Sequence, residues 1–418
     1  SAMAATAEAA HTFSASLTKD DTMSQPAWLA DPLASLIAPV DADRFFRDYH
    51  ERQALIARRD DPERYTGLLS IERIDAIVSS LNLRAGDLDM ARSDPPVRPE
   101  DFTFETGFID PGGVAEQYRQ GATLILPQLH MRDAGLGAFC RAMEALLSCH
   151  VQTNIYLTPP HNQGFNTHYD DHDVFVLQVS GEKRWRLYDM PLENPYRGEG
   201  FRPGDHPVGE PVEEFILKAG ECAYVPRGLM HDASTHGEAP SLHITLGLIV
   251  KTWADLMLEA VSEVALREPA FRHSLPPGFA RPGFDREAAG AHFAGLVETL
   301  ARQARMDAAM DMFADSFIRS RMPDTQGTIA GYGRPADPAA RFRLRPFVPW
   351  RMAADGEEIV IITAGGDVRF PAASEAGLHT LLDGGTISQD SFSGLEPDAA
   401  RDALGRLHAF GLIVPAEG

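Results

Sequence analysis

Between His161 and Asp189 the chain concentrates side chains that can hold a metal ion, among them His168, Asp170, Asp171, His172 and Asp173, with Lys183 close behind. His168 and Asp170 form an H-x-D pair. Side chains alternate between the two faces of an extended strand, so these two point the same way. One imidazole and one carboxylate are two members of a two-histidine, one-carboxylate set. A second histidine from a distant strand leaves three positions open on an octahedral ferrous ion, enough for a bidentate 2-oxo acid and dioxygen. The distal candidate is His231, 63 residues downstream at the end of Tyr224-Val225-Pro226-Arg227-Gly228-Leu229-Met230-His231. There a strand and a Pro-Arg-Gly turn can return a ligand to a barrel mouth. Lys183 follows the turn at Ser180-Gly181 and is expected on an adjacent antiparallel strand. Its ammonium would meet the far carboxylate of a 2-oxo acid as a compact cation.

Each signal alone has an ordinary explanation: a turn histidine, a solvated lysine, a chance pair. The ordered set inside one β-rich span carries the weight. Lys183 stands out further because the chain has only four lysines (Lys19, Lys183, Lys218, Lys251) among 38 basic residues. His172 and His243 compete as ligands. His172 shares strand parity with His168, and His243 lies in an apolar strand that suits a packed histidine.

The elements that must position this set are short strands, expected at 151–157, 173–180, 184–189, 213–217, 222–225 and 242–250. Turn signals such as Pro159-Pro160 and Ala219-Gly220 separate them, which indicates a barrel or sandwich. Upstream, helices are expected at 41–51, at 70–80 with Ser70 as N-cap, and at 135–148, with strands at 54–57 and 121–127. Downstream come a helix at 252–267 and a continuous one at 285–321. Met306, Met310 and Met312 on that second helix read as core or subunit interface rather than a cofactor groove. A hairpin at 358–370, helices near 374–383 and 396–409, and a strand at 411–415 suggest a winged helix. Residues 351–418 hold four Arg and eleven acidic residues, so this module is expected to contact protein rather than DNA.

Composition bounds the whole. The 418 residues carry 38 basic and 60 acidic side chains, a net charge of −22, which argues against phosphate neutralisation and for a basic partner. Three cysteines without a C-x-x-C pair suit a reducing compartment. No apolar run is long enough to suggest a membrane span. A soluble, cytoplasmic protein is expected, and the preference for Arg, Ala, Gly and Pro suggests a bacterial source.

The chain resembles the JmjC-type ribosomal oxygenases of the cupin-like family. The likeness rests on Asn154-Ile155-Tyr156-Leu157-Thr158-Pro159-Pro160, Gln163-Gly164-Phe165, His168-Tyr169-Asp170-Asp171, Phe175-Val176-Leu177-Gln178 and Gly181-Glu182-Lys183-Arg184-Trp185. Val225-Pro226-Arg227-Gly228 through His231, and Ser241-Leu242-His243-Ile244-Thr245, extend it. The resemblance implies an α+β chain with a double-stranded β-helix oxygenase domain (26–250), a helical dimerisation domain (251–325) and a winged-helix domain (347–418); composition marks a disordered leader (1–25) and a linker (326–346). It implies a homodimer in which His168, Asp170 and His231 bind Fe(II). Lys183 would hold 2-oxoglutarate, and Asn154 and Thr245 would line the co-substrate pocket. Some bacterial relatives have Arg where this chain has Lys183, so the site looks more like the histidyl hydroxylase branch. Gly247 falls where those enzymes tend to have Ser near the substrate. The expected activity is O2-dependent hydroxylation of a His or Arg side chain of a ribosomal protein. The rivals are a tailoring hydroxylase of a peptide or small molecule, a lysine demethylase, and a non-catalytic metal-dependent regulator.

Overall fold

The computed structural model describes residues 27–162, 166–196 and 198–416. The expected leader and Gln163-Gly164-Phe165 lie outside the described residues. The chain forms two compact units, Ser1–Val250 and Lys251–Gly418.

The first unit is built on ten strands: β1 (Leu55–Ala57), β2 (Asp89–Ala91), β3 (Thr123–Pro127), β4 (His150–Thr158), β5 (Asp173–Ser180), β6 (Glu182–Leu187), β7 (Glu213–Lys218), β8 (Cys222–Val225), β9 (His231–His236) and β10 (Ser241–Ile249). Seven of them pair antiparallel in the order β1-β8-β5-β10-β4-β3-β2, and a smaller sheet runs β7-β6-β9. The alternation along β10 shows how one strand serves two layers. Leu242, Ile244 and Leu246 are fully buried in the main core with Phe139, Leu68 and Trp28, while His243 and Thr245 face the other way. Val174 and Val176 of β5, Ala223 and Val225 of β8, and Trp185, Leu187, Phe215 and Leu217 of the small sheet fill the space between the sheets. This is the jelly-roll arrangement of a cupin-like barrel.

Local signals explain the helices around it. Ser70 accepts from the Arg73 amide and starts the helix Ile71–Ser80, worth about 1 kcal/mol for a good N-cap. Asp133 caps Ala134–Leu147 through the Leu136 amide and also pairs with Arg73 at 2.6 Å.

Two expectations change here. Lys183 does not sit on a strand paired with β5: β6 belongs to the other sheet. Gly181 makes the switch at φ +66°, and a Cβ there would lie 2.2 Å from the Pro240 carbonyl oxygen, so the backbone crosses where no side chain fits. The H-x-D pair also lies outside a full strand, in an extended segment joined to β9 by an isolated bridge, His168 to His231.

The second unit begins with the helix Trp253–Arg267, capped reciprocally by Thr252 and Asp255. The continuous helix expected over 285–321 is two, Glu287–Gln303 and Met306–Arg319, with Ala304 extended between them. Packing explains the break. It lets Ala309 and Phe313 reach Leu256 and Ala260, and Phe317 and Ile318 reach Val360 and Ile362. Met306, Met310 and Met312 are exposed, so they are not core. Further on, β11 (Phe342–Leu344) pairs with β15 (Ile413–Pro415), and β12 (Trp350–Asp355), β13 (Glu358–Thr363) and β14 (Gly366–Pro371) form a meander. The helices Glu375–Leu382 and Pro397–Ala409 pack on it through Leu378, Leu381, Leu404 and Leu407. The strand β12 carries no sequence signal, because Trp-Arg-Met-Ala-Ala-Asp has no clean alternation. No helix among the described residues is long and apolar enough to cross a membrane.

Candidate active site

The three expected ligands converge. His168 Nε2 lies 3.9 Å from Asp170 Oδ1, and His231 Nε2 lies 3.8 Å from Asp170 Oδ2. One donor atom from each residue lies within 4.8 Å of the other two. Backbone bonds hold the two segments together: the His168 amide donates to the His231 carbonyl at 3.1 Å, and the return bond is 2.8 Å. Beside them, Thr167 (2.8 Å) and Tyr188 (2.6 Å) both donate to the Asp232 carboxylate, tying the neighbour of one histidine to the neighbour of the other.

The tautomers follow from the same contacts. Nδ1 of His168 is 2.8 Å from the Asn166 carbonyl oxygen, and Nδ1 of His231 is 2.9 Å from the Leu229 carbonyl oxygen. A carbonyl only accepts, so each Nδ1 carries the proton and each Nε2 presents a lone pair toward the centre. Burial pushes the His231 pKa down, more than the Asp170 carboxylate pushes it up. That keeps the ring neutral, as a metal ligand must be. Two neutral imidazoles and one carboxylate suit a ferrous ion with open positions.

Behind the ligands sits a buried ion-pair network that the sequence did not announce. Arg227 donates to Asp173 from its amide (3.1 Å) and from Nη1 (2.7 Å), while its Nη2 lies 2.7 Å from Glu51. The Tyr224 hydroxyl donates to Asp173 as well, at 3.1 Å. Next to Arg227, the Gly228 amide donates to the carbonyl of Asp170 itself at 3.0 Å. The Pro-Arg-Gly turn is therefore bolted to the segment carrying the carboxylate ligand. His50, Glu51 and Asp173 also come within metal-binding distance of one another, but there the Arg227 guanidinium supplies the positive charge.

A pocket of about 600 Å³, its mouth included, surrounds the ligands; Lys183, Thr245, Tyr156, Thr158 and His243 share its lining with them. Lys183 is buried, with Nζ 3.3 Å from Thr158 Oγ1 and 3.2 Å from His243 Nδ1. Desolvation lowers its pKa to about 7. His243 stacks on Tyr156 at 4.9 Å, and burial followed by the Lys183 charge drives its pKa well below the usual histidine range. It is thus the acceptor for Lys183 rather than a metal ligand. Burial raises the Tyr156 hydroxyl to about 12, with a contribution from Asp170, so it stays a neutral donor.

Asn154 stands opposite Thr245 in the β4–β10 register. It is half-buried and outside the residues lining the pocket. His172 also stays apart from the metal ligands, its Nδ1 3.2 Å from Asp171. Tyr156 and Thr158 went unread, although period-two parity from Asn154 would have found them. Trp185 and Asp232 carried no such signal.

With this geometry in view, the comparisons are specific. Residues 129–256 match the family model described as the JmjC domain. Ribosomal oxygenase 1 of Danio rerio is 31% identical over 332 residues, covering 72% of this chain and 59% of that protein. The bifunctional lysine-specific demethylase and histidyl-hydroxylase NO66 of Drosophila erecta is 34% identical over 253 residues, 58% of this chain and 38% of that protein. The chain thus spans about half the length of these curated relatives. In fold it is similar to YcfD, a ribosomal oxygenase from Escherichia coli solved with cobalt and 2-oxoglutarate, at TM-score 0.53 and 14% identity over 91% of this chain and 99% of that one. On these grounds residues 129–256 form a JmjC domain, and the chain is similar to the ribosomal oxygenases over 72% of its length.

Proposed function

We propose that this chain is an Fe(II)- and 2-oxoglutarate-dependent hydroxylase of a basic protein of the ribosomal type. The observation that carries it is the placing of His168, Asp170 and His231 in one pocket with the buried cation Lys183. Relatives named ribosomal oxygenase and histidyl-hydroxylase support the same assignment.

Bound iron, 2-oxoglutarate and dioxygen supply the oxidising chemistry: the co-substrate leaves as succinate and carbon dioxide, and one oxygen atom enters a substrate C–H bond. The protein's part is position and desolvation. His168, Asp170 and His231 would hold the ion from one side. Lys183 would bind the far carboxylate of the co-substrate, oriented by His243 and Thr158, with Thr245 on the same wall and Asn154 supporting it from the neighbouring strand. Trp185 and Tyr156 keep water from the space between, and the Asp232 and Arg227 networks hold the ligand segments still.

The other modules are assigned on the same footing: oxygenase domain to residue 250, helical dimerisation domain at 251–325, and an acidic winged helix that contacts protein and not DNA. Because β11 pairs with β15 and Phe342 packs in that core, the linker expected at 326–346 stops short of Phe342 and the last module starts there rather than at 347. Exposed Trp253, Leu258, Leu266 and Phe293 on the helices of the second unit support a homodimer. The buried thiols Cys140, Cys149 and Cys222 support a cytoplasmic, reducing setting. Purified protein given Fe(II), 2-oxoglutarate and peptides from ribosomal proteins should release succinate and add one oxygen atom to one peptide. Succinate release with none of them would overturn the substrate class, and no release at all would overturn the enzyme.

A further inference from the structure

His243, Thr245 and Gly247 share one face of β10, and the first two line the pocket. Across the pairs, Gly247 lies between Val174 of β5 and Gln152 of β4, and Val174 lines the pocket. What fills the space above Gly247 is His172. A Cβ built on Gly247 would lie 2.8 Å from His172 Cδ2 and 2.9 Å from its Nε2, closer than real side chains approach. The imidazole therefore occupies the volume that any side chain at 247 would take. It does so one same-face position beyond Thr245, beside the pocket-lining Val174, and its own side chain keeps 19% exposure.

The hydrogen bond behind the ring decides what it offers. His172 Nδ1 faces a carboxylate oxygen of Asp171 at 3.2 Å. A carboxylate accepts and does not donate, so Nδ1 carries a proton, and in the neutral ring Nε2 presents its lone pair over Gly247. With Asp171 behind it, that lone pair is polarised toward a hydrogen-bond donor.

We infer that His172, seated on Gly247, is a specificity-determining residue that accepts a hydrogen bond from an N–H-bearing substrate side chain, an imidazole or a guanidinium, at the mouth of the site. The inference rests on the oxygenase assignment and deepens it. Gly247 is required in this role because only a residue without Cβ leaves room for the ring.

The test uses the full chain loaded with Fe(II) and 2-oxoglutarate and a set of Arg/Lys-flanked peptides differing only in a central His, Arg or Leu. Wild type should hydroxylate the His or the Arg peptide and leave the Leu peptide untouched. His172→Leu should raise the peptide KM about tenfold, with the KM for 2-oxoglutarate within about twofold, as expected when only substrate binding loses a partner. Gly247→Ala should give the same split by displacing the ring. The double variant H172A/G247A should be no worse than H172A, because both changes remove one interaction. The inference is overturned if His172→Leu and Gly247→Ala keep the peptide KM within about twofold of wild type, or if the Leu peptide is hydroxylated as well as the others. Uncoupled succinate release with no hydroxylated peptide also overturns it. A wild type that releases no succinate removes the oxygenase assignment and this inference with it.

Discussion

With Lys183 as the proposed anchor of 2-oxoglutarate, co-substrate binding should depend on pH in a window where few groups titrate. Its ammonium is buried beside a neutral His243 and a hydroxyl, with no carboxylate among the contacts described above, and its pKa falls to about 7. Capture of a dicarboxylate needs the charged form. The fraction charged is about one half at pH 7 and about one hundredth at pH 9, and apparent affinity scales with the competent fraction. The Kd for 2-oxoglutarate should therefore rise about fiftyfold between those pH values. Anaerobic calorimetry on protein loaded with a divalent metal measures this directly, with proton uptake on binding above pH 7 as a second readout. Lys183→Arg, which keeps its charge, should flatten the slope. The same group governs the stability of the protein without co-substrate. Folding depresses the lysine, so stability is lowest below pH 7 and rises as pH climbs from about 7 toward 10.5, where the unfolded chain still holds the proton that the folded chain has released. The gain is on the order of 5 kcal/mol across that interval. A Kd unchanged from pH 7 to 9, or an equal slope in Lys183→Arg, would refute the reasoning.

Asp170→Ala should abolish Fe(II) retention and lower succinate release at least about a thousandfold, with little change in Tm because the carboxylate is partly exposed; metal analysis and a melting curve separate the two effects. Arg227→Ala leaves Asp173 fully buried without its cation and should cost about 3–5 kcal/mol in denaturant unfolding. Glu51→Gln, at the exposed end of the same network, should cost less than about 1 kcal/mol. Gly181→Ala forces a Cβ against the Pro240 carbonyl at φ +66°; it should lower Tm by more than 10 °C, corresponding to about 3 kcal/mol or more, or yield insoluble protein.

Much of the site was legible because its chemistry is local. His168 and Asp170 are two residues apart, so parity alone aligns them, and Pro226-Arg227-Gly228 announces the turn that delivers His231. The strands at 173–180 and 222–225 were legible to the residue because apolar runs end at unmistakable turns. What stayed hidden depends on partners far away in sequence. Nothing in Ser180-Gly181 says that the chain leaves one sheet for the other; the close approach of Pro240 decides that. Arg227 and Asp173 each look like surface charges until the fold buries them together, with Glu51 closing the network from its exposed end. The break at Ala304 has no Gly or Pro to mark it, and arises because Phe313 and Phe317 find different neighbours from those a straight helix would offer.

Both imidazoles of the proposed metal site are oriented by a carbonyl two residues upstream, Asn166 for His168 and Leu229 for His231. Each ligand thus carries its own alignment device inside a tripeptide. The surrounding loops can drift, lengthen or adopt new partners without tilting either ring. A scaffold so arranged can explore new substrates by surface change alone while its redox chemistry stays fixed.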